Sequence, residues 1–221
     1  MPYRGVIFDV DGTLVDSNEA HARAWAEAFE RSGHAVPYER MRSLVGMGGD
    51  KLIPAASGLA ADSPEGKAIA DARRAIFAER YLPGIRPFPG ARDLVQTLVS
   101  RGFKIAVASS AEEDELEPLL RIAGVHDLIE RKTSGDDAKR SKPDADIVAV
   151  ALGRLRCASD EAVMIGDTPY DVHAANRAGV ACVAFRCGGW NDEALSGAVA
   201  IYDGPWSLLS QLGPSPLASS R

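Results

Sequence analysis

The stretch Gly5-Val6-Ile7-Phe8-Asp9-Val10-Asp11-Gly12-Thr13 decides the fold class. Its first four residues form an apolar run with β-branched and aromatic side chains, the pattern of a short strand buried on both faces. The run stops at two aspartates, a glycine and a threonine, residue types that favour a turn. Three further runs read the same way: Ile105-Ala106-Val107-Ala108, Ala162-Val163-Met164-Ile165 and Ala181-Cys182-Val183-Ala184-Phe185. Helix-spaced apolar residues lie between them, over 91–101, 113–123, 145–154 and 172–178. Strands alternating with amphipathic helices predict an α/β fold, with a Rossmann-like parallel sheet covered on both faces. Weaker strand patterns occur at 127–133 and, as an edge strand, at 199–202.

Residues 16–85 break this rhythm. They contain no strand-like run, and their apolar residues recur at helical spacing: His21, Trp25 and Phe29, then Met41, Leu44 and Val45, then Ile69, Ala72 and Ile76. This predicts a helical insertion after the first strand. The return path Pro83-Gly84-Ile85-Arg86-Pro87-Phe88-Pro89-Gly90 has the composition of a linker. The expected organisation is an α/β core over 1–15 and 86–212, a helical domain over 16–85, and a frayed, flexible tail over 213–221.

The chain's 221 residues suffice for a core domain with a small accessory one. Lys and Arg total 25 against 31 Asp and Glu, a net charge of −6, which argues against nucleic acid as the main partner. Hydrophobic residues make up 46% and charged residues 25%, so the chain is globular rather than disordered. Three cysteines without a Cys-x-x-Cys pair indicate neither a disulfide framework nor a zinc ribbon, and fit a reducing compartment. The apolar run before Asp9 is too short for a signal-peptide core or a membrane span. A soluble, cytoplasmic protein is expected, monomer or homodimer, with no membrane partner.

The residues that end each strand carry the chemistry. In an open parallel sheet, ligands bind outside the carboxyl ends of the strands. The first strand runs into Asp9 and Asp11, the second into Ser109-Ser110, and the third into Gly166-Asp167-Thr168-Pro169-Tyr170-Asp171. Ser141-Lys142-Pro143 lies in a loop between the second and third. Gathering Asp9, Asp11, Asp167 and Asp171 is unfavourable without a counter-charge. Oxygen ligands with few His or Cys nearby favour Mg²⁺. Mg²⁺ and a Lys together suit a phosphoryl group, and an Asp can then serve as nucleophile.

Asp9-x-Asp11-Gly12-Thr13, Ser109, Lys142-Pro143 and Gly166-Asp167-x-x-x-Asp171 resemble, in order, the four motifs of the haloacid dehalogenase superfamily. The position of the helical insertion resembles that of members with a helical cap, in the phosphoglycolate phosphatase and β-phosphoglucomutase-like branch. The resemblance implies a Mg²⁺-dependent phosphatase of a small phosphorylated metabolite that works through an aspartyl-phosphate. It implies Asp9 as nucleophile and metal ligand, and Asp11 as acid and base with its backbone carbonyl on the metal. Asp167 would bind the metal directly and Asp171 through water. Ser109 and Lys142 would hold phosphoryl oxygens, with Gly12 and Ser110 in the same phosphate-binding set.

Other readings compete at particular residues. His21 stands in a pattern similar to that of sugar-phosphate mutases, Asp-Ser-x-x-x-His-x-x-x-Trp, or simply packs beside Trp25. Lys51, in the Gly-rich connection Gly46-Met47-Gly48-Gly49-Asp50-Lys51, either reaches substrate or sits in solvent. Both are candidate substrate residues of the cap. Cys157, Cys182 and Cys187 read as buried small residues, and Glu112-Glu113-Asp114-Glu115 as a solvated helix start. Gly188-Gly189-Trp190 reads as a turn. Alternative functions are a β-phosphoglucomutase-like phosphoryl transferase, a phosphonoacetaldehyde hydrolase using Lys51, and a receiver-like phospho-acceptor domain. Asp11 argues against a 2-haloacid dehalogenase, which needs no acid there.

Overall fold

Among the described residues, six parallel strands form one sheet in the order β3-β2-β1-β4-β5-β6: β1 Gly5–Phe8, β2 Lys104–Ala108, β3 Arg131–Thr133, β4 Ala162–Gly166, β5 Ala181–Phe185 and β6 Ala200–Tyr202. The computed structural model describes residues 3–129 and 131–218. They divide into two units, Met1–Asp16 with Arg86–Arg221, and Ser17–Ile85.

The four strands with uninterrupted apolar runs occupy the middle of the sheet. Val6, Ile7 and Phe8 of β1 are fully buried, as a strand flanked on both edges and covered on both faces requires. One face of the sheet presents Ile7, Ala106, Ala108, Met164, Cys182 and Ala184. These pack against α7 (Asp146–Leu155) and α8 (Pro169–Arg177) through Ile147, Val148, Ala151, Leu155, Val172, Ala174 and Ala175. Fully burying an aliphatic side chain of this size is worth about 1.5–3 kcal/mol. The right-handed rule for parallel crossovers puts α5 (Ala91–Ser100) and α6 (Glu113–Ile122) on the opposite face. α5 turns Ala91, Leu94, Val95 and Leu98 inward, the stripe expected of an amphipathic helix. The short α9 (Pro205–Ser210) follows β6.

Register aligns the site. Phe8 stands opposite both Val107 and Ile165, and the Asp9 N–H donates to the Ile165 carbonyl at 2.8 Å. Asp9 therefore leaves β1 at the level where β2 and β4 give way to Ser109 and Asp167. Strand order reverses direction between β1 and β4, which makes this edge the topological switch point.

The second unit is helical: α1 Asn18–Arg31, α2 Tyr38–Arg42, α3 Gly49–Ser57 and α4 Pro64–Ile76. A π-helical turn, Phe77–Tyr81, and a 3₁₀ turn, Leu82–Gly84, complete it. The expected stripe residues His21, Trp25, Phe29, Met41, Leu44, Val45, Ile69 and Ile76 are buried, and Ala72 is half-buried. Among the described residues no helix is long and apolar enough to cross a membrane.

Several details differ from expectation. Lys51 lies in the first turn of α3 rather than on a connection, because the helix starts at Gly49. α8 begins three residues early, at Pro169. The Thr168 side chain accepts from the Asp171 N–H, and the Asp171 carboxylate accepts back from Thr168, a capping box with proline at the first helical position. The presumed linker is partly ordered by pairing within the first unit: the Asp16 N–H donates to Arg86 and the Phe88 N–H to Leu14. Within the acidic start of α6, Glu115 is buried rather than solvated. The end of the chain does not trail off over residues 213–218: Leu217 is fully buried and its N–H donates to the Ser215 hydroxyl at 3.1 Å. Residues 219–221 lie outside the described residues. Of the three cysteines only Cys182 is fully enclosed; Cys157 and Cys187 are half-buried.

Candidate active site

The turn after β1 places the first two acids. Three successive N–H groups, of Thr13, Leu14 and Val15, converge on the Val10 carbonyl, and Gly12 takes a positive φ of 74° that a β-carbon would resist. Asp9 is left almost fully buried at the strand end, and Asp11 is half-buried on the turn.

Lys142 is 1% exposed. Its ammonium pairs with Asp9 Oδ1 and lies 2.8 Å from Asp171 Oδ1. The other oxygen of Asp171 accepts from the Thr168 hydroxyl at 2.7 Å, the Thr168 N–H at 3.0 Å and the Asp167 N–H at 3.3 Å. Asp171 thus anchors the start of α8 and orients the ammonium at the same time. Asp167 is fully buried, and its Oδ1 accepts from the Thr13 hydroxyl at 2.8 Å. That bond ties the turn after β1 to the end of β4.

One carboxylate oxygen from each of Asp9, Asp167 and Asp171 lies within 4.8 Å of the others, and all three residues are buried. The three carboxyl groups outnumber the Lys142 ammonium that pairs with two of them. Burial pushes the Asp9 carboxyl well above its usual range; Lys142 opposes this, while Asp171, Asp167 and Asp11 push it further. For Lys142, burial works against the charged form, but Asp171 and Asp9 more than offset it and raise the ammonium above its ordinary value. A buried cluster of hard oxygen donors fits a small divalent cation. The Asp11 side chain is not part of this cluster.

Ser109 is fully buried after β2. Its N–H donates to Thr133, and its hydroxyl oxygen accepts the Ala111 N–H at 3.1 Å. Ser110 follows, half-exposed, and its carbonyl packs so closely on Gly135 that a β-carbon there would sit 2.8 Å from it.

His21 and Lys51 belong to the helical unit. His21 is stacked on Phe77, ring centroids 4.1 Å apart at 8°, and its Nδ1 lies 2.5 Å from the Arg73 guanidinium. Arginine has no acceptor, so Nδ1 accepts and the ring hydrogen is on Nε2. Arg73 also lies over the rings of Trp25 and Phe77, at 5.3 and 5.2 Å. Arg73 belongs to no motif read from the sequence, and Thr13 stands in the first motif without a partner assigned to it. The helical stripe hid Arg73, and the 154-residue separation from Asp167 hid the partner of Thr13.

A family model described as haloacid dehalogenase-like hydrolase matches residues 6–185. The phosphoglycolate phosphatase of Rhodospirillum rubrum is 33% identical over 96% of this chain and 92% of its own length. The validoxylamine A 7'-phosphate phosphatase of Streptomyces hygroscopicus subsp. limoneus is 30% identical over 82% of this chain and 84% of its own. The crystal structure of a hydrolase from Pseudomonas syringae superimposes with a TM-score of 0.90 at 28% identity, covering 98% of this chain and 99% of that one. The chain belongs to the haloacid dehalogenase-like hydrolase family, and its relatives place it among that family's phosphatases.

Proposed function

We propose that this protein is a Mg²⁺-dependent phosphomonoesterase that hydrolyses a small phosphorylated metabolite, of the phosphoglycolate or sugar-phosphate type, through an aspartyl-phosphate on Asp9. The observation that carries the reading is the buried group of Asp9, Asp167 and Asp171 at the switch point of the sheet, with the Lys142 ammonium paired to Asp9 and Asp171. Asp9, Asp167 and the Asp11 carbonyl would hold Mg²⁺, with Asp171 beside them. The cation would supply positive charge against the phosphoryl oxygens.

The protein's own groups account for the rest. Lys142 and the Ser109 hydroxyl bind phosphoryl oxygens and orient phosphorus toward an Asp9 carboxylate oxygen. Asp9 attacks, an oxygen–phosphorus bond forms, and the ester bond to the leaving oxygen breaks as Asp11 gives that oxygen a proton. Water then attacks the same phosphorus and loses a proton to Asp11. The bond to Asp9 breaks, releasing phosphate and restoring both carboxyl groups. Charge spread over the transferring group makes positioning and counter-charge the main requirements. Substrate choice is assigned to the helical insertion, with His21 and Lys51 as candidate residues.

Hydrolysis of a generic aryl phosphate, followed by a panel of phosphorylated metabolites at fixed Mg²⁺, tests this reading. Turnover that requires Mg²⁺ and is lost in Asp9→Asn is expected. Turnover indifferent to both would overturn it.

A further inference from the structure

The turn after β5 lies outside the four motifs, yet it closes on two of them. Gly188 ends a short 3₁₀ turn, Arg186–Gly188, and is buried. A β-carbon built on it would overlap the Asp167 carboxylate and come within 2.5 Å of the Asp167 Cβ. The backbone of this turn therefore rests directly against the acid. One residue earlier, the Cys187 Sγ lies 3.4 Å from the Gly12 carbonyl, within reach for its thiol to donate.

Arg186 fixes the turn from outside the site. Its guanidinium takes both oxygens of Asp192, at 2.6 and 2.9 Å, and Asp203 Oδ1 at 2.8 Å. Such a forked, planar arrangement holds direction as well as distance. The chain from Phe185 to Gly189 is thus held at one end by two carboxylates and at the other by the acid it abuts.

We infer that the Arg186–Gly188 turn is a positioning element for the metal site. Gly188 sets the Asp167 carboxylate by close backbone approach, and Cys187 steadies the Asp11-Gly12 turn through the Gly12 carbonyl. Thr13 holds one oxygen of Asp167 and Gly188 bounds the other, so the acid has a single direction. The inference rests on the reading of Asp9, Asp167 and Asp171 as a Mg²⁺ site.

The test is Mg²⁺ titration of the purified full chain, read as the Mg²⁺ concentration giving half of the thermal stabilisation. Changes in groups that orient metal ligands typically weaken affinity by roughly 10–100-fold. Gly188→Ala is expected to raise the half-effect concentration by about that factor. Cys187→Ala is expected to raise it less, with Cys187→Ser restoring it, because a hydroxyl can also donate to the Gly12 carbonyl. A purely structural role would lower the metal-free melting temperature and leave the half-effect concentration unchanged, and that result would overturn the inference. Should Gly188→Ala fail to fold, the Cys187 pair decides: equal Mg²⁺ response in Ala and Ser variants overturns it. A wild-type protein that shows no Mg²⁺ stabilisation would instead refute the metal-site reading, and the inference with it.

Discussion

Lys142→Met removes the ammonium and keeps a side chain of similar length. In the wild type that ammonium is 1% exposed and lies between Asp9 and Asp171. Its loss leaves buried carboxylates facing one another without a cation. Breaking a buried ion pair by deleting one partner costs about 3–5 kcal/mol. For a chain of this length each kcal/mol moves the melting temperature by about 2–4 °C, so a fall of about 6–20 °C is expected. The loss depends on pH in a definite direction. Burial already raises the folded-state value of Asp9 above that of an unfolded aspartate. The folded protein then binds more protons than the unfolded chain, and stability falls as pH rises from the unfolded aspartate value toward the folded one. Removing Lys142 takes away the one group that opposes this shift. The gap between variant and wild type should therefore widen from acidic to neutral pH. Lys142 itself has a raised folded value; its contribution is fully present below the unfolded lysine value and is lost only as pH rises through the folded one. Thermal unfolding in EDTA at about pH 5 and about pH 7.5 measures the loss and its dependence on pH. Equal melting temperatures, or a gap that narrows toward neutral pH, would refute the reasoning.

Asp11→Asn should leave Mg²⁺ stabilisation intact, since the backbone carbonyl is the assigned ligand, while turnover of an aryl phosphate falls by about 10²–10⁴. Near-normal steady-state rates would remove Asp11 from acid–base duty. Thr13→Val deletes the 2.8 Å hydroxyl bond to Asp167; a hydrogen bond to a charged group is worth about 1.5–3 kcal/mol, and urea unfolding should show a loss in that range. A chain ending at Leu212 forfeits the burial of Leu217, which predicts about 1.5–3 kcal/mol lower stability by the same denaturation. Unchanged stability would mean that the terminal segment contributes nothing to the core.

The central strands were legible because each is a continuous apolar run, which only a doubly covered sheet accommodates. β3 and β6 are three residues each, and their patterns were correspondingly weak. The helix-spaced apolar pattern over 172–178 misses the first turn of α8 because Pro169, Tyr170 and Asp171 do not extend it. The same Asp171 carboxylate caps the helix and holds Lys142. The terminal segment was misread for a different reason: Gly213-Pro214-Ser215-Pro216 has the composition of coil, and only long-range packing buries Leu217.

In the site, Asp9, Asp167 and Asp171 could be found from the strand ends, and Lys142 only from its order among the motifs. The Thr13 bond to Asp167 and the pressure of Gly188 on the same acid could not. Both depend on distances between segments far apart in the chain, and neither residue type announces such a role by itself. The doubled glycine after β5 was visible as a turn, but what it touches was not.

The most direct measurement is acid-quenched mass spectrometry of the protein during turnover of a phosphorylated substrate with Mg²⁺. A phosphoryl group on the peptide containing Asp9, labile to hydroxylamine and absent in Asp9→Asn, is the predicted result. Phosphate release with that peptide never modified, or modification at Ser109 instead, would contradict the account.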